Sequence, residues 1–246
     1  MSKWFIRPCK VDIGNMCRKM GINVPLALAL QAKGLNTPKK VKDYFNTENY
    51  SFGDITELVG VKRSFEIIEK AINENKKIFI YGDYDVDGVT STVILYKSLK
   101  ALGANVFYYI PNRVTDGYGL NVNAIERLIG KGMELLITCD NGIAAIEEIK
   151  YAKEKGIDVV IYDHHEPVIK DGKEILPEAD SVTDAKIENC GYDFTVMCAG
   201  GLCYRVMKAF YEYLGQKYTL EKEMIIFAGI ATVCDVVDLV GENRAI

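Results

Sequence analysis

The chain has 246 residues, 49% of them apolar and 26% charged, with a net charge of −4. That is an ordinary globular composition, long enough for one large core or two small ones; no apolar run approaches the roughly 20 residues of a membrane helix, and the opening MSKWFIRPCK lacks the apolar centre of a secretory signal. Seven cysteines without a C-x-x-C pair, several inside apolar runs (Cys139, Cys203, Cys234), point to buried reduced thiols rather than a disulfide framework or zinc cluster, and the expected location is cytoplasmic.

Residues 1–45 carry nine Lys or Arg against two acids, so the remaining 201 residues hold a net charge of −11. Such an asymmetry fits either polyanion contact by the N-terminal part or a solvated basic helical surface. Residues 1–58 read as a basic helical extension, with one helix opening at Pro25 and another at Thr37-Pro38, and 59–246 as the main domain.

From Val61 the pattern becomes regular. An amphipathic helix to Asn75 is followed by the apolar run Ile78–Tyr81, the mark of a strand buried on both faces, and then by Asp83, Asp85 and Asp87. Helical spacing resumes through Val89, Val93, Tyr96, Leu99 and Leu102, and Gly103 stops it. A second strand is expected over 105–110, followed by the polar loop NRVTDGYG, whose glycines suit close backbone approach to a ligand. Then come a helix over 123–130, a strand over 134–139 ending in Asp140-Asn141-Gly142, a helix over 144–155, and a strand over 158–162 ending in Asp163-His164-His165. This alternation predicts right-handed βαβ units: an α/β fold with a parallel, Rossmann-like sheet flanked by helices, behind an N-terminal helical extension.

The segment 166–192 reads as loop with one short strand, Ser181–Thr183. A helix then starts at Ala199-Gly200-Gly201, where free backbone N–H groups could receive a phosphate, although a packing or turn role for the glycines fits equally. The last helix, from about Leu220, is apolar almost all round, which predicts burial, and it delivers Asp235.

The polar residues recur in one place. A parallel sheet would collect the strand-end aspartates and the chain's only two histidines at its carboxyl edge, where open α/β sheets bind ligands. Crowded carboxylates repel one another, so the arrangement suggests a cation. A helix-loop-helix calcium site fails, because Ile94 stands at the twelfth position counted from Asp83, where a glutamate is required. Asp140 could alternatively form an Asx turn, and Asp235 could simply end a helix. Cys139 and Cys234 read as buried neighbours, and Thr90, Ser91 and Thr92 as serving the first turn of their helix. An oxygen-rich set with imidazole favours manganese or magnesium over thiolate-bound zinc, and its acids are too many for one ion. Two ions about 3.5–4 Å apart would suit in-line displacement at phosphorus, here phosphoester hydrolysis by a metal-activated water.

GDYDVDG (82–88), TCDNG (138–142), DHHE (163–166) and ATVCDVVDLVGENR (231–244) resemble, in order, the four motifs of the DHH phosphoesterases. IPNRVTDGYGLN (110–121) and KWFIRP (3–8) are similar to the bacterial single-strand-specific 5′-to-3′ DNA exonucleases within that family. The resemblance implies Asp83, Asp85, Asp87, Asp140, His164 and Asp235 as ligands of Mn2+ or Mg2+, with His165 at the scissile phosphate and Asp163 supporting the histidines. It also implies release of 5′ mononucleotides in DNA repair and recombination. Single-stranded DNA would be the partner, held through Arg113 and the Gly117-Tyr118-Gly119 loop, by a monomer with no membrane association. A single-strand-binding protein or a helicase is the expected accessory. Asp238 departs from the proline usual in relatives, and the family's second, DHHA1-type domain is expected to be absent. Competing expectations are a phosphodiesterase acting on short oligonucleotides or cyclic dinucleotides, and a non-catalytic nucleic-acid-binding fragment.

Overall fold

The structure, a computed structural model, describes residues 12–47, 50–113, 117 and 119–246. It divides into two compact units, the first ending at Ser51 and the second beginning at Phe52. In the first unit, helices α1 (Ile13–Met20), α2 (Val24–Ala32) and α3 (Pro38–Phe45) surround a small core of Met16, Ala27, Leu30 and Val41. Each starts on a side-chain cap: Asp12, Asn23 and Thr37 accept from the backbone N–H three residues on, satisfying a donor that has no intrahelical partner.

The second unit is α/β. Helix α4 (Val61–Asn73) leads into strand β1 (Ile78–Tyr81), and helix α5 (Val86–Ala101), strand β2 (Val106–Tyr109), helix α6 (Val122–Gly130), strand β3 (Leu135–Cys139), helix α7 (Ile146–Glu154) and strand β4 (Asp158–Tyr162) follow. With β7 (Ser181–Thr183) these strands form a five-stranded parallel sheet of order β2-β1-β3-β4-β7. Strands β1 and β3 are buried throughout, because helices cover both faces; this is why their sequences read as continuous apolar runs. Two cores result. One lies under α4, α5, α8 (Ala199–Tyr213) and α9 (Glu221–Cys234), and the other under α6 and α7.

Two expectations need correction, and two further features are new. The segment 166–192 is not loop with a single strand: β5 (Val168–Lys170) and β6 (Lys173–Ile175) form an antiparallel hairpin across Asp171-Gly172, both at positive φ. Helix α9 is not buried all round; Ile226, Ile230 and Val233 are exposed, as is Cys234. On α5 the covered face is Ser91, Ile94, Leu95, Ser98 and Leu99, while Val89 is exposed and Val93 and Tyr96 are half-buried. A short last helix, α10 (Gly241–Ala245), was also not anticipated. No helix among the described residues is long and apolar enough to cross a membrane.

Candidate metal centre

The site is built where four parallel strands end. Strand β1 hands over through Gly82 to Asp83; β3 ends before Asp140, β4 before Asp163-His164-His165 and β7 before Asp184. Asp85 caps α5, accepting from the Gly88 amide at 2.9 Å, and Asp87 lies in that helix's first turn. Gly88 is required there, since a Cβ would sit 2.6 Å from the Asp83 backbone. Asp235 ends α9 from the other side.

His164 stands at the centre. Its Nε2 lies 3.0 Å from Asp140 Oδ1 and 3.5 Å from Asp87 Oδ2, and its Nδ1 lies 3.8 Å from Asp235 Oδ2. Three groups bring ligand-type atoms within 4.8 Å of one another: Asp140, His164 and His165; Asp87, His164 and Asp235; and Asp83, Asp85 and Asp140. Asp140 adopts φ 62°, a left-handed conformation that aspartate tolerates better than most residues.

Asp163 has a different role. Its Oδ1 accepts from the amides of His164 and His165 and from His165 Nδ1 at 2.7 Å, and its Oδ2 accepts from the Ile143 amide. Burial works against its ionised form, but the His165 hydrogen bond and charge, with the two main amides, hold its pKa below the usual carboxylate value. The same bond raises His165. Burial pushes Asp83 up, and pushes Asp87 up in spite of the His164 charge and the Gly200 and Ala199 amides; burial followed by the charges of Asp87 and Asp85 pushes Asp140 up to about 10. Asp83 Oδ1 is buried with no hydrogen-bond partner among the described residues. Hard oxygen donors, one of them unpartnered, that resist ionisation in their own company fit a divalent cation.

At Gly200 and Gly201, where either a phosphate or a packing role is expected, the amides already have partners. The Ala199 and Gly200 amides donate to the two Asp87 oxygens at 2.8 and 2.7 Å, and the Gly201 amide donates to Cys198 Sγ. The start of α8 therefore receives an anion, but that anion is this chain's own carboxylate. Exposed Arg113 stacks 5.4 Å from the Tyr84 ring centroid, and Gly119 accepts from the Tyr81 hydroxyl at 3.1 Å. Tyr118 lies outside the described residues. Gly119, Asn141, Asp163 and His165 line a depression of about 350 Å³ beside the histidines. Asp184, buried at the same edge, was not anticipated, although its place directly after a strand was the available signal. Asp238 is exposed.

Residues 77–232 match the family described as "DHH family, N-terminal domain". The chain belongs to the DHH family. Over 245 residues, 99% of its length, it is 38% identical to the single-stranded-DNA-specific exonuclease RecJ of Bacillus subtilis, of which it spans 30%. A crystal structure of exonuclease RecJ bound to manganese is 32% identical, with a TM-score of 0.68 over 76% of this chain and 46% of that one. RecJ of Thermus thermophilus in complex with Mn2+ gives a TM-score of 0.73 at 26% identity, covering 97% of this chain and 32% of that one. These DHH relatives thus hold manganese on the fold described above.

Proposed function

We propose that this chain is the metal-binding catalytic part of a single-strand-specific 5′-to-3′ DNA exonuclease of the RecJ type, which releases 5′ mononucleotides in DNA repair and recombination. The observation that carries the reading is His164 held among Asp87, Asp140 and Asp235, with Asp83 and Asp85 completing the acidic wall. Those six residues would hold two ions of Mn2+ or Mg2+. Ions bound there supply a nucleophilic water and neutralise charge on the phosphate. Asp163 orients His165: its Oδ1 accepts from Nδ1–H and leaves Nε2 to face the phosphate, and the same bond raises the pKa of the ring, which favours its protonated, Nε2–H-donating form. Arg113, stacked on Tyr84, and the 117–119 loop would hold the strand backbone. Residues 59–246 would act as the catalytic domain behind the basic extension 1–58, in a cytoplasmic monomer. A single-strand-binding protein or helicase would be an accessory partner.

The test is release of mononucleotide from a 5′-labelled single-stranded oligonucleotide with manganese. His164→Ala and Asp140→Ala should each lower the rate more than about 100-fold. Equal cleavage by the variants would sink the site assignment. The 350 Å³ depression beside His165 is also large enough for one nucleotide of a short substrate. Hydrolysis confined to di- or trinucleotides would favour that second reading.

A further inference from the structure

We propose that the flank formed by strand β2 and helix α5 is a track for a nucleic acid strand, lying apart from the carboxylate edge and leading to it. The proposal deepens the exonuclease reading and rests on it for the identity of the strand. Strand β2 is the edge of the sheet, and it exposes two large aromatics: Phe107 is 43% and Tyr108 58% accessible. Neither ring is loose. Phe107 stacks on Phe79 with centroids 5.2 Å apart, and Tyr108 meets Tyr96 of α5 edge to face at 5.3 Å. Two depressions, of about 330 and 470 Å³, adjoin along this flank and share Tyr96 and Tyr108.

Charge selects the occupant. The first depression is rimmed by Lys77, Lys100 and Lys131, none with a carboxylate partner among the described residues; Lys77 Nζ donates to the Lys131 carbonyl instead. On that side Glu134 accepts from the Lys77 amide, and further along Lys97 is paired with Glu223. Fixed aromatic faces beside uncompensated lysines are what stacks bases and attracts phosphates without regard to sequence. The direction also fits. The second depression reaches Val89, two residues past Asp87, and Ile110, just beyond the carboxyl end of β2. From Val89 to Lys100 helix α5 rises about 16 Å, so the track runs from the lysines toward the start of α5, where Asp85 and Asp87 sit.

The test measures binding of a fluorescein-labelled 20-mer of thymidylate to the whole chain in EDTA, where hydrolysis is suppressed. Tyr108→Ala should raise Kd at least about five-fold, the effect of losing one stacking platform. The paired charge reversal Lys100→Glu with Lys131→Glu should flatten the dependence of log Kd on log salt by at least roughly 1.4, or 0.7 for each lost phosphate contact. Both changes lie on the surface, and thermal melting checks that the fold is kept. Unchanged Kd and salt slope, or a wild-type chain that does not bind, would overturn the track. So would self-association of the variants with DNA binding intact, because the flank would then only guard the sheet edge. Hydrolysis by the wild type with manganese reads the metal centre separately. Binding that these variants lose, without any hydrolysis, would keep the track and sink the catalytic reading.

Discussion

Asp184 follows β7 with its side chain fully buried; one carboxylate oxygen accepts from the Lys186 amide, and the other has no hydrogen-bond partner among the described residues. Burial outweighs that single bond and raises its pKa from 3.8 to about 7. An acid raised in this way holds its proton more tightly folded than unfolded, so stability falls as pH climbs from about 4 to about 7. Above that range the full penalty, on the order of 4 kcal/mol, remains. Asp184→Asn keeps the acceptor and removes the charge. In EDTA it should melt above the wild type at pH 8 and converge with it near pH 4, and equal melting at pH 8 would show that the carboxyl finds water. Asp163 has the opposite sign: its lowered pKa adds stability above the ordinary carboxylate range that is lost as pH falls. Asp163→Asn should therefore lose stability at neutral pH and little in acid, which the same melts would read. Asp184 could have been found from the rule that flagged Asp140 and Asp163, since it too ends a parallel strand. The strand Ser181–Thr183 is itself legible, but three residues inside an apparent loop do not show that they join the parallel sheet, so the rule does not reach Asp184 from sequence.

At the scale of elements, the contact of α8 with α9 sets the position of Asp87. A Cβ on Gly200 would lie 2.4 Å from Ala231 Cβ and 3.1 Å from Asp87 Oδ1. Gly200→Ala should therefore destabilise the chain by about 1–3 kcal/mol in denaturant and weaken manganese binding, and Ala231→Gly in the same chain should recover part of both, since it removes the closer clash but not the one with Asp87 and leaves a glycine inside α9. If Gly200→Ala bound manganese as the wild type does, Asp87 would not need this cradle. The two glycines were visible in the sequence as a helix start suited to an anion, but the identity of the anion was not. Asp87 is 113 residues earlier, and only the folded sheet edge joins them. Other limits are equally physical. The hairpin β5–β6 carried a usable signal in Asp171-Gly172, but its strands are three residues each, too short for alternation to register. Helix α9 is rich in apolar residues yet leaves Ile226, Ile230 and Val233 on its outer face, and composition alone cannot distinguish a buried helix from one with an apolar exposed side.

For the whole molecule, the parallel sheet was legible because strand and helix alternate at regular spacing, and the metal edge because the sheet gathers every strand end that carries an acid. This gathering has a thermodynamic consequence. Asp83, Asp87 and Asp140 are all raised by burial, and Asp140 to about 10, so without a cation their ionisation subtracts stability as pH rises from the acid range through neutrality. A divalent ion needs the deprotonated carboxylates, so it binds more tightly at higher pH and offsets a penalty that is itself larger there. Manganese at 100 times its Kd adds about 2.7 kcal/mol, which for a chain of this size raises Tm by roughly 5–10 °C. At one fixed manganese concentration, calorimetry should show a larger rise at pH 8 than at pH 6. Asp140→Asn should separate the two terms: the metal-free chain should melt higher than the wild type at pH 8, because folding no longer has to protonate a carboxyl that is ionised in the unfolded chain, while the response to manganese and hydrolysis of the labelled oligonucleotide fall together. A variant that gained no stability without metal would show that Asp140 is not destabilised by its surroundings, and one that kept the full manganese response would show that it is not part of the centre.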